Sequence, residues 1–233
     1  MFSSLANPEH WVPLAVIGPA IVAVLAVAQL RPGPWIVPGA KVLAVGTLLA
    51  EFCWWGAAIV EHRWYLKYNL PLHLCEFGSF MLAGALWSRR RLLVEISYFW
   101  GIGGTLQGLF TPDIPSHFPY FVYFQYYVEH GFIVLGAFYL VIAMRIFPAR
   151  GAVLRVSTFT AAYAVVVGLV DYVTGGNYLF LRRIPATGTL FDYLGPWPWY
   201  IVSCTVLAVL IFTLLYLPFR NSNRQPVDLA HAQ

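Results

Sequence analysis

The sequence predicts an all-α polytopic membrane protein of seven transmembrane helices, with its N-terminus outside and its C-terminus in the cytoplasm. Three observations predict it. The 233 residues are 60% hydrophobic and 17% aromatic but only 10% charged, against roughly a quarter charged in an ordinary soluble domain. Several apolar runs reach the about 20 residues needed to cross the hydrocarbon core. The cations also segregate by loop, as membrane orientation requires.

Read with its breakers, the hydropathy pattern places spans near 11–30, 40–60, 70–88, 92–110, 119–147, 152–174 and 198–218. The first, from Trp11 to Leu30, has no basic residue ahead of it and no small-residue cleavage site, so it is expected to be a retained helix rather than a signal peptide. An odd number of spans puts the termini on opposite sides. The loop with Arg31 and Lys41, the SRRR turn at Ser88 to Arg91, the segment from Arg145 to Arg155 and the tail with Arg220 and Arg224 hold ten of the fourteen basic residues. All lie on one face of this topology, whereas Arg63, Lys67, Arg182 and Arg183 lie on the other. The positive-inside rule makes the crowded face cytoplasmic.

Residues 1–220 are expected to form a single transmembrane domain, and NSNRQPVDLAHAQ from Asn221 a flexible cytoplasmic tail. The net charge of +4 is explained by orientation, and no nucleic-acid partner is expected. Cys53, Cys75 and Cys204 all fall inside predicted spans, which argues against a disulfide framework. Trp64, Tyr65 and Tyr68, and Trp197, Trp199 and Tyr200, fit an interfacial aromatic belt, with a cage for a choline-type headgroup as the other use of such rings.

Ionisable groups at membrane depth are costly and therefore functional candidates. Glu51, His73, Glu76, Gln107, Glu129, His130 and Asp171 all fall in the outer half or near the midplane, which an outward-opening cavity would explain; Glu95 falls near the cytoplasmic end of its helix, within reach of water. The stretch LPLHLCEF, Leu70 to Phe77, sets His73, Cys75 and Glu76 within four residues of one another. On a regular helix His73 and Cys75 point about 200° apart, so His73 is a poor base for Cys75 unless Pro71 opens the first turn. At a rise of about 1.5 Å per residue, Cys75 and His130 each lie about 8 Å from the outer edge. A thiol beside an imidazole can transfer acyl groups: the imidazole takes the proton, the sulfur attacks an ester carbonyl and a thioester forms. Cysteine packing and a helix-bridging histidine are the plainer readings of the same residues. His73, Glu76, Glu129 and His130 also offer a four-ligand metal set, although no recognised metal motif supports it, and neither a metal nor another cofactor is expected.

The blocks LPLHLC (Leu70 to Cys75), EHG (Glu129 to Gly131) and GGNYLFLRRIPATGTLFDYLGPWPWYI (Gly175 to Ile201) look like the bacterial YwaF-like family of seven-span membrane proteins, over essentially the whole chain. That family is similar to an animal transmembrane acyltransferase which remodels ether phospholipids, and more remotely to androgen-induced membrane hydrolases. The resemblance implies Cys75 as nucleophile, His130 as base, a membrane phospholipid or lysophospholipid as substrate and a bacterial cytoplasmic membrane as location. The loop from Gly175 to Pro198 is longer than the usual connection. It is expected to act as a lid in which Arg182 or Arg183 meets a lipid phosphate and Asn177 orients an oxyanion, with Tyr178 alongside; anchoring of the last helix is the alternative. Three functions follow: an acyltransferase or lipid hydrolase; a permease lined by Glu51, Glu76, Glu129 and His130; or a metal-dependent lipid hydrolase using His73, Glu76 and His130.

Overall fold

The computed structural model describes residues 8–112, 114, 117–185 and 190–220, whose regular elements are all helical, with no strand among them. Seven helical rods are present: α1 Pro8–Leu30, α2 Ile36–Val60, α3 Leu74–Ser88, a composite rod from 91 to 110, α6 Phe121–Ile142, α7 Ala152–Thr174 and α8 Trp199–Tyr216. The composite rod consists of α4 Arg91–Trp100, a π-helical turn Gly101–Thr105 and α5 Leu106–Phe110. Five segments, Glu9–Leu30, Ile36–Val60, Phe121–Ile142, Ala152–Thr174 and Trp199–Phe219, are long and apolar enough to cross a membrane. The expected tail from Asn221 lies outside the described residues.

Local chemistry sets the boundaries. Proline and glycine in the RPGP segment separate α1 from α2, and Gly175 ends α7 at φ +72°, a left-handed conformation that residues with a Cβ seldom adopt. The third helix starts at Leu74, four residues later than expected, because Leu70 to His73 run as a non-helical segment that Pro71 cannot extend into the helix. The fifth predicted helix ends at Ile142 rather than near 147. There the chain turns through Arg145, at φ 55°, and Ala149 donates its N–H to the Glu95 carboxylate at 3.1 Å.

α3, the composite rod and α6 form the centre. Leu82, Ala85, Phe99, Ala137 and Leu140 are fully buried there, whereas α1, α7 and α8 expose Val16, Val166 and Leu210 on their outer sides. This is the inside-out apolar distribution of a bundle that faces lipid. Glycine permits the closest approach: a Cβ at Gly101 would stand 2.7 Å from that of Ala137 on α6. Gly101→Val is therefore expected to overpack this crossing and to lower stability by about 1–3 kcal/mol, measured as a drop in the thermal midpoint in detergent. Gly18, which has nothing within 4 Å of such a Cβ, is the control position.

Glu95 does not reach water. Its side chain is 1% exposed and accepts hydrogen bonds from Arg155 Nη2 at 2.6 Å and Nε at 2.9 Å, tying α4 to α7. Arg155 also donates to the Arg150 carbonyl at 3.0 Å, which fixes the turn before α7.

Candidate functional site

The site is built on the first turn of α3. His73 is its N-cap, with extended backbone at φ −66° and ψ 153°. The Glu76 carboxylate accepts the His73 backbone N–H at 3.3 Å, completing a capping box. His73 is thus outside the helix and Cys75 is its second residue, so the 200° separation expected for a regular helix does not apply. The His73 ring instead packs against Tyr178 and Phe180, each centroid 5.3 Å away. Cys75 is partly buried and faces Thr105 at the end of the π-turn.

His130 approaches the same rod from α6. Its Nδ1 lies 2.9 Å from the Tyr126 carbonyl; a carbonyl only accepts, so Nδ1 carries the proton and Nε2 keeps its lone pair. The ring stacks on Tyr126 at 3.9 Å, and Tyr126 donates its hydroxyl to the Gly108 carbonyl at 2.8 Å. The imidazole edge lies over Gly108, where a Cβ would meet Cδ2 at 3.1 Å and Nε2 at 3.2 Å. Cys75 therefore faces Thr105, and His130 faces Gly108. These two positions are three residues apart and share one face of a helix.

Carboxyl groups lie beside the thiol. Glu129 accepts from Ser79 Oγ at 3.2 Å and from Gln125 Nε2 at 2.7 Å, and Gln125 also donates to the Ala50 carbonyl at 3.2 Å. The Glu51 carboxyl is completely buried against Glu129, and neither of its oxygens has another hydrogen-bond partner. The network joins α2, α3 and α6, and it brings together three of the four groups expected to line a permease cavity, Glu51, Glu76 and Glu129. Among the described residues no three His, Cys, Asp or Glu side chains are grouped so that they could hold a metal ion.

Above α3 sits the long loop. Tyr178 is 1% exposed; its hydroxyl donates to the Leu66 carbonyl at 2.8 Å and accepts the Leu70 N–H at 2.9 Å. Its own N–H reaches Asp171 Oδ1 at 2.8 Å. The Asn177 side chain is used within the loop: Oδ1 accepts the N–H groups of Arg182 and Arg183 at 3.1 and 3.0 Å, and Nδ2 donates to the Arg183 carbonyl at 3.0 Å. It shapes the double-arginine turn. The Arg182 guanidinium donates to the Gly176 carbonyl at 3.3 Å, and both arginines remain exposed. Asn177→Ala should free two backbone donors, at a cost of about 1 kcal/mol each, and speed amide hydrogen exchange across 178–185 while leaving that of α6 unchanged.

Sequence reasoning missed Thr105, Gly108, Ser79, Gln125 and Tyr126. Gln125 stands four residues before Glu129, a spacing at which the pair can bond along one helix face, and that was the available signal. No curated protein and no solved structure matches the chain. A family model does: residues 5–216 match that of the TMEM164 family. With five helices able to cross a bilayer and this match over most of its length, the chain is an integral membrane protein that belongs to the TMEM164 family.

Proposed function

We propose that this protein is a membrane lipid acyltransferase or lipid hydrolase in which the Cys75 thiol is the nucleophile and His130 the general base. The supporting observation is that both side chains meet the same rod at positions three residues apart, Cys75 at Thr105 and His130 at Gly108. The proton-bearing Nδ1 of His130 is held by Tyr126, leaving Nε2 as the basic atom. Nε2 takes the thiol proton, the sulfur attacks the ester carbonyl of a phospholipid, and the imidazolium returns the proton to the departing alcohol. The thioester then passes its acyl group to water or to a lysophospholipid hydroxyl. The resemblance to YwaF-like proteins and to an ether-phospholipid acyltransferase favours the same chemistry. The topology that suits it has the N-terminus outside, the C-terminus in the cytoplasm of a bacterial inner membrane, and the site near the outer leaflet under the loop bearing Arg182 and Arg183.

The test is labelling of purified protein with a lipid-like p-nitrophenyl ester, followed by hydroxylamine, which cleaves thioesters. A hydroxylamine-labile adduct on Cys75 is expected, and His130→Ala should slow its formation by about 10²- to 10⁴-fold. Unchanged labelling in His130→Ala would remove the histidine from the mechanism.

The Glu51–Glu129 contact favours a second reading, a proton-coupled permease, because an intramembrane carboxyl pair can exchange a proton. Proton flux into liposomes that persists in Cys75→Ala and vanishes in Glu51→Gln would select it.

A further inference from the structure

The composite rod is not a continuous α-helix. Its hydrogen bonding loosens to a π-turn over Gly101–Thr105, the GIGGT segment. Single π-turns within α-helices cost backbone geometry and occur frequently at functional sites. Here the turn lies where three packing constraints meet. Gly101 abuts Ala137 of α6 at 2.7 Å, Gly103 abuts Ile211 of α8 at 3.1 Å, and Gly104 abuts Leu74, the first residue of α3, at 2.6 Å, all measured to a Cβ built at the glycine. A π-turn inserts one residue into the helical repeat, so every residue beyond it is rotated relative to a regular continuation. Thr105 is the last residue of the turn and carries the consequence. Its side chain is 1% exposed, and its hydroxyl has no partner of ordinary hydrogen-bond geometry, although most buried helical serines and threonines here bond the carbonyl four residues back. Thr47 does so at 2.8 Å and Ser97 at 2.7 Å, as does the partly buried Thr160 at 2.8 Å. In the π-turn that outlet is not taken, and the hydroxyl lies against the Cys75 thiol.

We propose that the π-turn aims the Thr105 hydroxyl at Cys75, where it donates a hydrogen bond to the sulfur as negative charge develops there. Leaving a buried hydroxyl without a partner is costly, and a sulfur anion offsets that cost by accepting the O–H. The thiol proton goes to His130 Nε2; the Thr105 proton stays on its oxygen, and the sulfur then forms the carbon–sulfur bond with an acyl carbonyl. Thr105 thereby holds the sulfur in one rotamer on the face that it shares with Gly108 and the imidazole. The charged groups that act on the thiol are Glu51, Glu76 and Glu129, none of which brings a positive charge. Thr105 is accordingly the neutral donor that the pocket supplies. This inference rests on Cys75 being the nucleophile.

Thr105→Val keeps the shape and removes the hydroxyl; Thr105→Ser keeps the hydroxyl. Both are made in a Cys53→Ala/Cys204→Ala background, so that the single S–H stretching band in the infrared spectrum belongs to Cys75. Thr105→Val is expected to shift that band and to slow acylation by the p-nitrophenyl ester about 10- to 100-fold, with Thr105→Ser staying near the parent in both. A band that does not move in Thr105→Val overturns the contact. A shifted band with an unchanged acylation rate overturns the role in chemistry and leaves the nucleophile standing. A shifted band with no acylation of any variant, the parent included, overturns the acyl-transfer reading and the chemical role of Thr105 with it, while the contact itself stands.

Discussion

Cys75→Ala is expected to abolish the hydroxylamine-labile adduct completely, while Cys53→Ala and Cys204→Ala leave it intact. The three cysteines differ in their surroundings. Cys53 is exposed on its helix, and Cys204 lies on α8, one of the outer rods. Cys75 alone combines the first turn of a helix, a hydroxyl neighbour and a rod that also receives an imidazole. Backbone N–H groups at a helix start have no intrahelical acceptor and favour negative charge nearby, and Cys75 is the second residue of α3. Cys75→Ser separates packing from chemistry. It preserves volume to within one atom but offers a far weaker nucleophile at neutral pH, so it should fold like the parent and label no faster than Cys75→Ala. Persistent thioester-type labelling in Cys75→Ala would falsify the assignment of the nucleophile, while the fold and the family would stand.

The second large effect concerns stability. Arg155→Met is expected to destabilise the protein by about 3–5 kcal/mol, because it strands a carboxylate that is almost wholly buried. Glu95→Gln should cost less. The Arg155 side chain is 38% exposed and can turn to water when its partner loses charge, and the glutamine oxygen still accepts the Ala149 N–H. The double variant Glu95→Gln/Arg155→Met should recover part of the loss, since it leaves no buried charge. Denaturation in mixed micelles, followed by tryptophan fluorescence, measures all three. Equal losses for the two single variants would show that the pair contributes through packing rather than through charge.

The two effects lie at opposite ends of the central bundle and are physically separate. The Glu95–Arg155 pair closes the end where α4 meets α7, and it also fixes the turn between α6 and α7 through Ala149 and Arg150. The Cys75 site lies at the other end of α3, below a loop that Tyr178 fastens to the Leu66 and Leu70 backbone. Variants at one end are therefore expected to leave the other readout unchanged.

The sequence by itself determined the all-helical class and the position of nearly every rod. Apolar runs of membrane length and their proline and glycine breaks depend only on local chemistry. It also picked out Cys75, His130, Glu76 and Glu129, because an ionisable group inside an apolar run is conspicuous wherever its helix packs. What it could not determine was which faces meet. That α3 and α6 touch, through Ser79 and Glu129, depends on close packing at Gly136, where a Cβ would stand 2.6 Å from Leu82 of α3. The non-helical entry to α3, which Pro71 begins, is held in place by a loop more than 100 residues away, whose Tyr178 hydroxyl accepts the Leu70 N–H. The π-turn was equally hidden: GIGGT reads as part of one continuous span, 92–110, until the neighbours of its three glycines are known. Helix-phase changes and side-chain convergence arise from contacts remote in sequence, and they become visible only when the rods are packed together.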